Sequence, residues 1–239
     1  MEAPKQITVS ARLQTIADLI PQGNRIADIG TDHAYLPIWL LQNGRVRSAL
    51  ACDVNQGPLE HAKRSCAAYG VTEHIDFRLT DGVKGISPDE VDSIIIAGMG
   101  GETIISILQA APWTASADVQ LLLQPMTKAE LLRPWLVENG YQILRERLVY
   151  ENRGYFPVME VRGGERGRQL TLGEIWAGVC LTKDPLQEEA LSYQIQKHRR
   201  ALAGLEKATS SDASEKAAFE RELIADMIRM REEWIDANR

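Results

Sequence analysis

The side chains best placed for chemistry are carboxylates set around glycine turns. Asp28, Asp32 and His33 surround Gly30 in the run Ala27-Asp28-Ile29-Gly30-Thr31-Asp32-His33-Ala34-Tyr35-Leu36-Pro37. Asp53 closes the next apolar run, Ala49-Leu50-Ala51-Cys52-Asp53, and Asp81-Gly82 follows a third. A glycine turn after one strand and a carboxylate after the next is the layout of a nucleoside-cofactor pocket in a Rossmann-type sheet. The turn lacks the G-x-G-x-x-G spacing that wraps a pyrophosphate, and its acids would repel one. They suit a cationic, amino-acid-bearing cofactor such as S-adenosylmethionine. In that arrangement Asp53 accepts hydrogen bonds from the ribose hydroxyls, and Asp81 lies where the adenine amino group is met. Gly30 lets the backbone approach the methionine part, while Asp28 and Asp32 face the ammonium or sit near the sulfonium. The helix beginning near Leu36 offers free N–H groups and a positive dipole end.

A fourth run, Ala97-Gly98-Met99-Gly100-Gly101-Glu102, ends another buried strand, where a methyl acceptor would lie. Its glycines can bring backbone carbonyls against the exocyclic N–H of a flat base, with Met99 packed on the ring or the cofactor. The Asn/Asp-Pro-Pro-aromatic signature common among amino-group methylases is missing from this stretch. Plainer readings stand beside each of these. Asp53 can be a helix N-cap, Asp81-Gly82 an ordinary turn, His33 a structural hydrogen-bonding residue, and the glycine loop a mere helix start.

Such residues need a sheet to align them, and the hydrophobic pattern supplies one. A helix over 10–20 precedes strands at 25–29, 48–53, 75–79, 93–97 and 119–123, with helices at 36–43, 58–69, 102–108 and 128–139 between them. Ile94-Ile95-Ile96 has the continuous β-branched character of a strand buried on both faces. Strands at 142–150 and 156–162, joined through Asn152-Arg153-Gly154-Tyr155, make a closing hairpin and bring the count to seven. The fold class expected is α/β, a Rossmann-like seven-stranded sheet of the class I methyltransferase type. Residues 1–164 form this catalytic domain, and residues 165–239 form a C-terminal helical domain. In the second, Leu191, Ile195, His198, Leu202 and Leu205 step as a heptad seam. Phe219, Leu223, Met227, Met230 and Trp234 form a matching stripe, so the two helices should close as an antiparallel coiled-coil hairpin whose stripes are core.

Bulk properties narrow the class of protein. With 44% hydrophobic and 25% charged residues, the 239-residue chain is an ordinary soluble globular protein. Met1-Glu2-Ala3-Pro4-Lys5-Gln6 is no signal-peptide core, and no apolar run spans a bilayer, so no membrane partner is expected. Cys52, Cys66 and Cys180 form no C-x-x-C pair and read as reduced thiols in a cytoplasmic protein, with no metal framework. A net charge of −6 argues against a protein that coats nucleic acid. Between residues 145 and 207, however, eleven Lys/Arg face nine Asp/Glu, which leaves room for a local basic surface.

The motif spanning 28–37, with Ile96-Ala97-Gly98-Met99-Gly100-Gly101 and Leu123-Gln124-Pro125, resembles the TrmK family of bacterial tRNA (adenine-N1)-methyltransferases. The resemblance runs from Ser10-Ala11-Arg12-Leu13 through the C-terminal helices. It implies S-adenosylmethionine as methyl donor and adenosine 22 of tRNA as acceptor. Asp28, Gly30, Asp32, His33, Asp53, Asn55, Asp81, Gly82, Gly98, Met99 and Gly100 match the positions expected to line the cofactor and acceptor site. Asp32, His33, Gly98 and Met99 are the candidates for catalysis. A base engaged in pairing must first be exposed, at a few kcal/mol. Alignment of N1 with the methyl then does most of the work. Asp32, with His33 in support, would stabilise the cationic product or take a proton from N6. Arg12, Arg145, Arg153, Lys197, Arg199 and Arg200 are candidates for phosphate contact, so RNA affinity should fall as salt rises. DNA is not an expected partner. A methyltransferase for another acceptor and a non-catalytic cofactor- or RNA-binding module remain as alternatives.

Overall fold

The computed structural model describes residues 5–116, 118–164, 167–208 and 210–239. Most of the hydrophilic opening, residues 1–4, lies outside them, as do Glu165 and Arg166 at the expected domain boundary. The elements run α1 (Ala11–Leu19), β1 (Asn24–Ile29), α2 (Tyr35–Gln42), β2 (Val46–Asp53), α3 (Gln56–Tyr69), β3 (Ile75–Leu79), β4 (Ser93–Gly100), α4 (Gly101–Gln109), β5 (Gln120–Thr127), α5 (Ala129–Glu138), β6 (Tyr141–Glu151), β7 (Gly154–Gly163), α6 (Leu172–Ala177), α7 (Gln187–Leu205) and α8 (Ala213–Ala237).

The seven strands form one sheet in the order β3-β2-β1-β4-β5-β7-β6. β1 to β5 pair in parallel, and only β7 runs against its neighbours. The order reverses between β1 and β4, so the strand ends there open the crevice where such sheets bind ligands. Helices cover both faces. Ile26, Ala49, Ala51 and Ile95 pack under α1, α2 and α3. Ala27, Ile29, Leu50, Ile94 and Ile96 pack under α4 and α5. Burial on both faces explains the unbroken apolar runs of the central strands.

Two strands run further than their apolar cores indicate. β4 continues from Ala97 through Gly98 and Met99 to Gly100, with breaks in register, and β5 continues to Thr127 through Pro125. The expected glycine loop is therefore the irregular end of a strand. Pro125 sits where Met99 is its partner and the register slips, a place where the missing N–H does little harm. The hairpin turn at Asn152 and Arg153 has positive φ at both residues, the pattern of a type I′ connection.

α7 and α8 lie antiparallel, as contacts from Arg231–Ser192 at one end to Arg221–Glu206 at the other require. Leu191, Ile195, Leu223 and Met227 of the two stripes meet in a core with Ile224. α6 has no counterpart among the expected elements. It is short, and its start at Thr171 and Glu174 is a reciprocal capping box.

Candidate active site at the strand ends

The turn after β1 is pinned to its neighbour. The amides of Gly30 and Thr31 both donate to the carbonyl of Cys52, at 2.8 and 3.0 Å. Gly30 takes φ +76°, and a Cβ there would overlap the terminal methyl of Met99. The turn and the end of β4 thus touch at one side chain, joining the cofactor half of the crevice to the acceptor half. Ala34 follows with φ 54°, a left-handed conformation costly for a side chain with a Cβ, and α2 starts from it without a side-chain cap. Pro37 lies in the first turn of α2, where a missing N–H costs nothing.

Asp28 stands at the base of the turn. Burial pushes its carboxyl up to about 6, the Thr31 hydroxyl opposes the rise, and nearby Asp53 adds to it. Thr31 Oγ1 is buried and has no hydrogen-bond partner of good geometry. Burial and the Asp28 carboxylate also push the Cys52 thiol up to about 12, which leaves it inert at neutral pH. Cys66 is likewise buried, Cys180 is exposed, and all three are free.

Asp32 is different. Its side chain is 70% exposed, with Oδ2 3.3 Å from His33 Nε2 and Oδ1 4.0 Å from His61 Nδ1. His33 stacks between Tyr35 and His61, at centroid separations of 5.0 and 5.3 Å. Donor atoms of Asp32, His33 and His61 lie within 4.8 Å of one another, a spacing that would also suit a cation. Neither Tyr35 nor His61 was singled out from sequence. His61 belongs to α3, and only the parallel β1–β2 pairing brings it beside the turn.

Asp53 is not a helix cap. Its Oδ1 accepts the Asn55 amide at 2.7 Å, leaving its second oxygen available, while Asn55 occupies the N-cap position with no side-chain cap bond. Asp81 is exposed beyond β3 and pairs with Lys84, three residues on, next to Gly82.

At the end of β4, Gly98 has φ +78°, and its amide donates to Gln124 Oε1 at 3.1 Å. The same oxygen accepts from Arg12 Nη1 at 3.0 Å, and Arg12 Nε reaches Glu151 at 3.2 Å. Buried Gln124 therefore ties the acceptor strand to α1 and to the β6–β7 hairpin; sequence reading placed it only within a motif. Gly101 is closely held, since a Cβ there would collide with the backbone carbonyl of Lys128.

The candidate RNA contacts divide by what already holds them. Arg12 is turned inward by the network above, and Arg145 pairs with Glu160 at 3.2 Å. Arg153, Lys197, Arg199 and Arg200 are exposed and have no ion-pair partner among the described residues. No helix among the described residues is long and apolar enough to cross a membrane.

Residues 9–159 match the methyltransferase domain family. The tRNA (adenine(22)-N(1))-methyltransferase of Bacillus subtilis is 38% identical over 161 residues, covering 67% of this chain and 68% of its own length. The crystal structure of B. subtilis TrmK superposes with a TM-score of 0.78 at 29% identity, over 97% of this chain and 99% of that one. TrmK of M. capricolum, solved with the cofactor product S-adenosyl-homocysteine, gives a TM-score of 0.79 at 29% identity over 95% and 99% of the two chains. By the family match over residues 9–159 and the 38% identity to the B. subtilis enzyme, the chain belongs to the TrmK family of tRNA (adenine(22)-N(1))-methyltransferases.

Proposed function

We propose that this chain methylates N1 of adenosine 22 in tRNA with S-adenosylmethionine as donor, and so works where tRNA is found, in the cytoplasm. The observation that carries the reading is the contact of Met99 with Gly30, which sets an acid-lined nucleoside turn against the glycine-rich end of the acceptor strand. The residues fit the cofactor. The Asp28 carboxyl, with the Thr31 hydroxyl beside it, is poorly solvated and unpaired by any cation among the described residues, and a cationic ammonium is what such a carboxyl favours. Asp53 retains an oxygen for the ribose, Asn55 and Asp81-Gly82 flank the nucleoside end, and Gly98, Met99 and Gly100 form the acceptor wall. Bound there, the donor supplies an electrophilic methyl on a sulfonium.

Adenine N1 needs no base to become nucleophilic. The protein's tasks are to hold the extruded base in line and to balance the positive charge that appears on it. Asp32 carries that charge in our reading and can accept a proton from N6, while His33 and His61 orient its carboxylate. Residues 1–164 act as the catalytic domain. Residues 165–239 contribute to gripping RNA through Lys197, Arg199 and Arg200 on α7, together with Arg153 at the hairpin tip of the catalytic domain.

The test is methyl transfer to unmodified tRNA, with the product nucleotide mapped by mass spectrometry. One methyl on adenosine 22 is expected; transfer to another acceptor or none at all would reject the reading. Asp32→Ala should abolish turnover with cofactor affinity and melting temperature little changed, whereas Asp53→Ala should chiefly weaken cofactor binding in calorimetry. Near-normal turnover of the Asp32 variant would remove it from the mechanism.

A further inference from the structure

Three tyrosines form a row on the surface beside the acceptor strand. Tyr150 and Tyr155 face each other across the last rungs of the β6–β7 hairpin, with centroids 5.0 Å apart, and Tyr155 lies 5.8 Å from Tyr193 of α7. Tyr150 is 55% exposed and Tyr193 48%, so two large rings present themselves to solvent. Tyr155 is the anchor between them. It packs with Leu148, Leu181 and Ala190, and its hydroxyl donates to Glu189 at 3.2 Å.

The row has a direction. β6 runs parallel to β4 and β5, so Tyr150 ends on the same edge of the sheet as Met99 and Gly100. From Tyr193, the same face of α7 continues through Lys197 and Arg200 at steps of four and three residues. Beside the row, a cleft of about 370 Å³ opens between the hairpin, α6, α7 and the end of β5, with Thr127, Lys128, Tyr155, Trp176 and Lys197 among its walls. Thr127 pairs with Gly100, so the cleft begins where the acceptor strand ends.

Flat exposed rings, unpaired cations along one face and an approach to the acceptor strand are the parts of a single-stranded nucleic acid site. The nearest acids are largely engaged: Glu151 by Arg12, Glu189 by Tyr155 and Glu130 by Lys128 at 3.8 Å. We infer that Tyr150 and Tyr193 are stacking platforms for unpaired bases next to the target adenosine. Lys197 and Arg200 hold the phosphates of that same strand, and the cleft receives its end nearest the acceptor. This rests on the tRNA reading and specifies how the RNA is held open while one base is delivered to Met99.

The experiment uses the full-length protein. Tyr150→Ala and Tyr193→Ala should each raise KM for tRNA by about tenfold, the order expected of one lost base-stacking contact. The Phe variants keep the ring and should stay within about twofold of wild type. Both sets should retain kcat at saturating tRNA, cofactor affinity by calorimetry and melting temperature, since neither ring is buried. If wild type methylates tRNA but the Ala variants keep its KM, this inference fails and the tRNA reading stands. If wild type does not methylate tRNA, both fail. If the Ala variants instead dissolve a dimer in size-exclusion chromatography, the row is a self-association surface and the inference is overturned.

Discussion

Asp28 sets stability against binding at a single carboxyl. Burial first, and the charge of Asp53 after it, raise its folded pKa to about 6 from an ordinary value of 3.8. A raised folded pKa stabilises the fold in acid, and that contribution is lost as pH rises through about 6. Above pH 6 the ligand-free protein therefore holds an ionised carboxylate the fold resists, at a cost of roughly 2–3 kcal/mol. An ammonium placed against Asp28 reverses the preference, so cofactor affinity should strengthen as pH rises through the same range. Asp28→Asn removes the charge and keeps the shape. It should melt higher than wild type at pH 8, with the gap shrinking towards pH 5, while its cofactor affinity falls. Thermal melts at the two pH values decide this; a gap that does not change with pH would show that Asp28 is ionised in the folded protein across the whole range and that its pKa is not raised.

At the scale of elements, the acceptor strand is aimed by backbone packing as much as by its side chains. Gly101 starts α4 against the carbonyl of Lys128, which itself holds φ 61° at the start of α5. Backbone cannot move aside as a side chain can. Gly101→Ala should lower stability by about 1–3 kcal/mol in denaturant titration and reduce methyl transfer further than that loss alone explains. Wild-type stability and activity in this variant would show that the contact is slack. Much of this architecture was legible in the residues. The alternation of apolar runs and helical stripes located the seven strands, because strands buried on both faces leave unbroken runs such as Ile94-Ile95-Ile96. Asp28, Gly30, Asp53 and the Gly98-Met99 pair stand out as candidates because they lie at or beside the ends of apolar runs. What stayed hidden depends on contacts across the fold. His61 meets His33 only once β2 lies beside β1, Tyr35 stacks on it only through the way the turn closes into α2, and Gln124 looks like core until the Gly98 amide is placed on it. The strand character of Met99 to Gly100 was masked by glycine, which weakens any strand pattern. α6 was missed although Thr171 and Glu174 carry its capping signal, since six residues show no periodicity.

Across the whole molecule, the helical C-terminal part is joined to the sheet through buried charge. Arg133 of α5 and Glu146 of β6 pair at 3.0 Å, with side chains 2% and 0% exposed. Each also binds the chain beyond β7. Arg133 Nη1 donates to the Ile175 carbonyl at 2.8 Å, and Glu146 Oε1 accepts the Val179 amide at 2.8 Å. Asp184 adds a third tie by accepting the Leu148 amide at 3.0 Å. A face bound this way orients α7, and with it Lys197 and Tyr193, relative to the acceptor strand. Removing one partner leaves a buried charge alone, which costs about 3–5 kcal/mol. Arg133→Ala should therefore unfold at markedly lower urea, and tRNA affinity should fall more than cofactor affinity because the helical part loses its fixed angle. Arg133→Met with Glu146→Gln keeps an acceptor for Val179 and removes both charges, so it should recover much of the stability. It would not restore the donor to Ile175, and its tRNA affinity should remain between the other two. Urea titration followed by tryptophan fluorescence, with Trp176 in the helical part and Trp135 on α5, reads both sides of the junction. A single coincident transition in wild type and a loss below about 1 kcal/mol in Arg133→Ala cannot both hold if the pair is the joint.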